Sequence, residues 1–471
     1  MIFTSFEFVF FFLLVWGIRS RFTNFSAEKW FLLLASYLFY MSWSASYVVL
    51  ILGASLMDYG VGRLLGVIEG PGRRKALLAV SLVLNLGLLC FFKYTNFLAA
   101  NLSVMCGVFG LHVAPHYYSI VLPVGISFFT FQSMSYTIDV YRRKLQPCLS
   151  MRDFLLFVAF FPQLESGPIV RASYFLPQLL QRARATLQEI ESGLAQIALG
   201  AVKKMVLSDR ISPHVDMIFA DPARFDALSL LLGAVGYAIQ IYCDFSGYTD
   251  MAIGCARILG FRFVENFQMP YSSVNITEFW HRWHISLSTW LRDYLYIPLG
   301  GNRRGTVRTY VNLMITMVLG GLWHGAGWNF IIWGGLHGVG LVAHKLWSSR
   351  SSAAPPAGRN FPAEIISRLL TLGLVVGGWI FFRTRSMHDA LDFLGRILTW
   401  NTAGTRFFSP QILTVAAAVV LVHVMVPKDY NWSLEIPRHK VPVRILAYAV
   451  LTVLLALFAV TEGAPFIYFQ F

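Results

Sequence analysis

Long apolar runs free of Asp, Glu, Lys and Arg recur along the chain at Phe31–Met57, Ala76–Phe92, Tyr94–Ile138, Ala227–Cys243, Thr309–His344 and Ile445–Thr461. Weaker or shorter runs lie at Met1–Ile18, Phe154–Leu164, Leu369–Phe382 and Gln411–Val426. A helix needs about 20 predominantly apolar residues to cross a hydrocarbon core of roughly 30 Å, so the longest runs must each hold more than one pass or a re-entrant piece. The pattern predicts an all-α integral membrane protein: a polytopic helical bundle of about eleven transmembrane helices plus re-entrant and interfacial helices.

Met1–Ile18 lacks a basic start and carries Glu7, so it reads as a retained helix and not a cleaved signal peptide. Arg19 and Arg21 follow it and place the N-terminus outside and the first loop inside. Further basic clusters at Arg73–Lys75, Arg142–Lys144, Lys203–Lys204, Arg303–Arg304 and Arg438–Lys440 mark cytoplasmic loops. No internal repeat is visible, which weakens a two-halved transporter reading. The Ser, Ala and Pro-Pro of Ser348–Arg359 read as a loop. The whole is predicted as one membrane-embedded domain, with N-terminal helices over 1–150, a central core over 151–347 and C-terminal helices over 360–471.

Composition narrows the class. Of 471 residues, 56% are hydrophobic and 13% charged, and mean hydropathy is +0.59. Soluble domains carry roughly 25% charged residues, so a disordered, collagen-like, coiled-coil or ordinary cytosolic chain is excluded. Lys and Arg number 38 against 24 Asp and Glu, a net +14. In so apolar a chain this excess reflects basic loops and not a nucleic-acid surface. Five cysteines, Cys90, Cys106, Cys148, Cys243 and Cys255, form no C-x-x-C pair and suggest neither a disulfide framework nor a zinc site.

Polar groups concentrate between Tyr237 and Gly338. If the stretch around Glu278–Asp293 is helical, His281, His284 and Ser288 share one face and Trp280, Trp283 and Leu287 a neighbouring one, as on an interfacial helix. H-x-x-H on a helix can hold a metal, but no third ligand stands at a diagnostic spacing and no metal is expected. Arg303 and Arg304 sit in a glycine-rich turn. They serve either as a topology signal or as a site for the phosphates of an acyl carrier or coenzyme A.

Thr309–His344 is too long for one crossing: 36 residues make about 54 Å of helix at 1.5 Å per residue. Gly320, Gly321, Gly325 and Gly327 predict a break around Leu322-Trp323-His324. Irregular backbone at membrane depth is tolerated only inside protein or beside a water-filled cavity. His324 there is a functional-site candidate, because a neutral imidazole can take a proton from a hydroxyl as general base. The alternative is an imidazole that hydrogen-bonds a neighbouring helix. His337, in Gly334-Gly-Leu-His-Gly338, reads as close helix packing through small residues. Asp244 and Asp250 either position substrate or pair with arginines.

Five ordered stretches carry a family resemblance: Phe161–Arg171, Tyr242–Asp250, Glu278–Asp293, Gly320–Gly325 and Trp379–Arg383. In them the chain resembles the membrane-bound O-acyltransferase family, in particular its bacterial alginate O-acetyltransferase branch. The resemblance implies a bundle around a central tunnel, in which a cytoplasmic thioester donor meets an acceptor from the other side. It gives His324 the role of catalytic histidine and His284 that of its polar partner. Trp323, Asp244, His281, Arg303 and Arg304 are the accompanying substrate-binding candidates.

Glu165 and His281 depart from the family pattern, which has an apolar residue and an arginine at those places. Implied too are an acetyl-CoA donor with no tightly bound cofactor, a bacterial inner-membrane location, and periplasmic acetyltransferases that finish modification of an exported polysaccharide such as alginate or cellulose. Peptidoglycan O-acetylation and D-alanyl transfer to teichoic acid are related alternatives; a non-catalytic transporter or export channel is one of a different class. Direct transfer and a covalent acyl relay through a side chain are both open.

Overall fold

Helices supply the regular structure of the described residues in the computed structural model, which cover 1–164, 167–182, 184–350, 361–461, 463 and 466–470, with one isolated parallel bridge between Phe225 and Thr405. Glu165 and residues 351–360, most of the expected loop, lie outside them. The chain forms two compact units, Met1–Leu194 with Ala252–Val264, and Ala195–Met251 with Glu265–Phe471.

The first unit is built from α1 (Phe6–Arg21), α2 (Phe25–Met41), α3 (Val48–Val67), α4 (Pro71–Val108), α5 (Ile126–Tyr141) and α6 (Met151–Ala159). The runs Ala76–Phe92 and Tyr94–Ile138, read from sequence as separate, are divided elsewhere. Residues up to Val108 belong to one 38-residue helix, and Lys93 does not break it. A lone lysine leaves the backbone ladder intact, so absence of charge does not locate a helix end.

Buried polar side chains join these helices. Ser81 and Asn85 of α4 donate to the Asp58 carboxylate of α3 at 2.6 and 2.8 Å, and Ser133 of α5 donates to it as well. Lys29 of α2 pairs with Asp153 of α6 at 2.7 Å. Such pairing is required, because an unpaired polar group away from water is costly.

In the second unit α7 (Leu187–Ala201), whose first half belongs to the first unit, passes through a π-helical turn, Val202–Ser208, into α8 (Asp209–Ala220). There follow α9 (Ala227–Ile258), whose end from Ala252 belongs to the first unit, α10 (Ile276–Arg282), α11 (Ile285–Leu291), α12 (Thr306–His324), α13 (Trp328–Arg350), α14 (Phe361–Arg383), α15 (Met387–Leu398), α16 (Pro410–Met425) and α17 (Val441–Phe458). The expected break falls at Gly325–Gly327, between α12 and α13.

Those two helices pack backbone to backbone. A Cβ on Gly321 would lie 2.1 Å from the Phe330 carbonyl oxygen, and one on Gly334 2.3 Å from that of Met317. The small-residue reading of the Gly334–Gly338 stretch holds for Gly334 and for Gly338, where an added Cβ would lie 2.8 Å from Met314 Sδ, and not for Gly335, which has open space.

Among the described residues, five helical segments are long and apolar enough to cross a membrane: Ala45–Val67, Pro71–Val108, Ala227–Ile258, Pro362–Arg383 and Val441–Phe458. They differ in what surrounds them. In its most apolar stretch α9 is 78% buried, whereas α17 is 6% buried. The first is wrapped by protein, and the second presents Val443, Ile445, Leu446 and Leu457 outward, a surface suited to lipid and not to water.

Candidate active site

The break that ends α12 leaves His324 as its last residue, 4% exposed, facing an aromatic shell. Ring centroids of Trp323, Trp333, Phe382 and Tyr468 lie 5.0, 5.0, 5.2 and 5.6 Å from the His324 imidazole. His284, fully buried, lies 6.3 Å from His324 and 6.1 Å from Trp323, with Phe245 edge-on to it at 4.7 Å.

His284 is brought there by a feature the helical reading of 278–293 missed. Its φ is +43°, in the left-handed region, so α10 and α11 are separate helices that meet at Trp283-His284. Non-glycine residues adopt this conformation seldom, and it clusters at functional sites. Asn266 holds the bend. Its carbonyl accepts the Ile285 N–H at 3.0 Å and its Oδ1 accepts the Ser286 N–H and hydroxyl at 3.1 and 2.9 Å.

The bend also overturns the shared face. His281 is exposed at the end of α10 while His284 is buried, so the two do not form an H-x-x-H pair on one helix surface.

Glu278 anchors α10. It accepts from the Val274 N–H at 2.9 Å, Arg282 at 3.0 Å and Lys428 at 2.7 Å. Partial burial pushes its carboxyl upward, but the Lys428 ammonium, the Val274 amide and the Arg282 guanidinium outweigh this and hold it below the usual glutamate range.

The acidic candidates have lysine partners, not the arginines expected. Asp250 pairs with Lys203 at 2.6 Å, and Asp244 with Lys204 at 2.6 Å; Lys204 also holds Asp209 at 2.7 Å. These acids lie inside the 32-residue α9 and not at the end of a span. The pairing depends on a close crossing, because a Cβ on Gly247 would sit 2.7 Å from the Gly200 carbonyl oxygen. The π-helical turn that follows Gly200 carries both lysines.

Arg303 and Arg304 are exposed in a turn where Gly300, Gly301 and Gly305 all have positive φ.

Phe245, Phe382, Trp333 and Tyr468 complete the shell, although sequence reasoning gave none of them a role at the site. For Tyr468 the signal was an aromatic cluster, Phe466-Ile-Tyr-Phe-Gln-Phe471, outside every apolar run. A cavity of about 330 Å³ in the same unit has Leu199, Val419 and Leu451 on its apolar side and Lys203, Asp250 and Lys428 on its polar side. Tyr242 and Phe267 line it too, and Phe267 packs on Phe245 at 5.0 Å.

Fold and site together define a helical protein with lipid-suited outer faces and two imidazoles enclosed in a largely aromatic interior. Residues 141–384 match the model of the membrane-bound O-acyltransferase family. The probable alginate O-acetylase AlgI of Pseudomonas putida is 37% identical over the whole of both chains, and that of Pseudomonas aeruginosa 42% identical over 92% of this chain and 83% of its own. The peptidoglycan O-acetyltransferase of Helicobacter pylori is 35% identical over 79% of this chain and 74% of its own. The chain belongs to the membrane-bound O-acyltransferase family, and it is an O-acyltransferase.

Proposed function

We propose that this protein moves acetyl groups from cytoplasmic acetyl-CoA across a bacterial inner membrane for O-acetylation of an exported polysaccharide, with alginate the leading candidate. The relatives named above share O-acetyl transfer and differ in polymer, which supports the acetyl group more firmly than the acceptor. A periplasmic acetyltransferase would complete the modification. The proposal includes about eleven crossings and a tunnel that admits donor and acceptor from opposite sides.

The observation that carries it is the buried pair His284 and His324 in its aromatic enclosure. His324 would take the proton of an acceptor hydroxyl as that oxygen attacks the thioester carbonyl. The tetrahedral oxyanion would be stabilised by His284 or by a backbone N–H near Gly325, and its collapse would expel the thiolate. Exclusion of water by the shell would limit hydrolysis of the thioester. Trp323 would wall the site, and Arg303 and Arg304 would meet the donor's phosphates from their exposed turn.

Purified protein supplied with radiolabelled acetyl-CoA and its acceptor tests this reading. His324→Ala should abolish acetyl transfer and leave the protein folded. Normal transfer by that variant overturns the catalytic assignment and favours a transporter or export channel.

A further inference from the structure

The segment after α17 returns to the His324 site and meets a buried ionic group and the turn beside it at three points. Val460 N–H donates to the Met205 carbonyl of the π-helical turn at 3.0 Å. Gly463 passes so close to Asp209 that an added Cβ would lie 2.2 Å from its Oδ2. Ile467 N–H donates to Asp244 Oδ2 at 2.8 Å, a buried bond between residues 223 apart in sequence. Asp209 and Asp244 are both held by Lys204, and all three are almost wholly buried.

Just before the Ile467 anchor, Phe466 packs on Tyr248 and Phe245 at 4.7 and 5.6 Å. Tyr468 packs on Phe245, His324 and Phe382 at 4.6, 5.6 and 6.1 Å.

We propose that Asp244 is a positioning residue for the acyl-transfer reaction: through the Ile467 amide it seats residues 466–468 as one wall of the His324 chamber. Asp244 supplies geometry and no chemistry. One oxygen neutralises Lys204 and the other fixes the segment, so the ionic group and the catalytic wall share a single carboxylate. A charge-assisted bond of this kind in a dry interior is stronger than a neutral one and is costly to leave unmade. The inference rests on the assignment of His324 above.

Hydrogen exchange over residues 460–471 and steady-state acetyl transfer, both on the full-length purified protein, test it. Asp244→Ala removes both bonds. Ile467→Pro deletes only the donor amide, at the first position of a short helical turn where proline is accepted, and leaves the ion group intact. Ile467→Pro should speed exchange in this segment and not in α9, and lower kcat by about a hundredfold at nearly constant KM for acetyl-CoA, as expected for loss of alignment. Asp244→Ala should do the same where it folds. Unchanged exchange in Ile467→Pro, or faster exchange at wild-type turnover, overturns the proposal. Failure of the His324 assignment shows separately, as full turnover in His324→Ala.

Discussion

The imidazoles of His284 and His324 lie with centroids 6.3 Å apart and planes inclined at 50°, and each is placed by a local break in helical structure. His324 closes α12 where three residues separate it from α13, and His284 occupies a left-handed bend between α10 and α11. Side chains at such breaks are aimed by backbone geometry, so their relative position depends on the bends and on what holds them.

The left-handed φ of His284 separates backbone from imidazole experimentally. Asparagine tolerates this conformation better than most residues. His284→Asn should therefore retain the fold while losing the ring. Turnover should fall by about 10²–10³, the range for removal of a group that stabilises developing charge. Thermal melting in detergent and acetyl-transfer kinetics on the same preparation check both halves.

Gly321 tests the junction that sets His324. A methyl group there would meet the Phe330 carbonyl oxygen at 2.1 Å, and that atom is backbone and cannot rotate away. Gly321→Ala should destabilise by about 1–3 kcal/mol through overpacking. It should also reduce turnover more than stability alone explains, because α12 and α13 must part where His324 and Trp333 face each other. Melting temperature and turnover at a temperature where the variant is fully folded distinguish the two effects.

Much of this was legible in the sequence, and the remainder fails for identifiable reasons. The break after His324 could be read because a charge-free run too long for one crossing contained clustered glycines. The His281–His284 face could not, since helical periodicity carries no sign of a single left-handed residue, and the holding group, Asn266, is remote in sequence. Lys204 was read as a loop charge, whereas it is a buried counterion to two aspartates. Ion pairing across a helix crossing depends on tertiary contact, which local pattern does not encode. The aromatic segment at Phe466–Tyr468 lies outside the apolar runs, and its place at the site likewise depends on tertiary contacts, those with Asp244 and His324.

Glu278 gives the site a pH dependence. Its carboxyl is held below the ordinary range in the folded protein, so the folded state binds its proton less readily than the unfolded chain. Its contribution to stability is complete above the unfolded value of about 4.3 and is lost as pH falls through the depressed folded value. Glu278→Gln should lower the melting temperature at about pH 7, and the gap to wild type should close on acidification through that range. A constant gap would assign the effect to packing and not to the ion pairs with Lys428 and Arg282.

Lys204 is the strongest test of the buried ionic group. Removing one member of a buried charge set leaves the others uncompensated, at a cost of about 3–5 kcal/mol. Lys204→Met keeps much of the stem's volume and strands Asp209 and Asp244. The triple variant Lys204→Met, Asp209→Asn, Asp244→Asn removes the charges together and keeps an amide oxygen near the Ile467 N–H. It should recover most of the stability lost in the single variant, since neutral replacement of a whole buried ion group is often tolerated. Recovery of turnover should follow the Ile467 contact and not the charge. The triple variant, melted and assayed beside Lys204→Met, separates the electrostatic role of the group from its hold on the chamber wall.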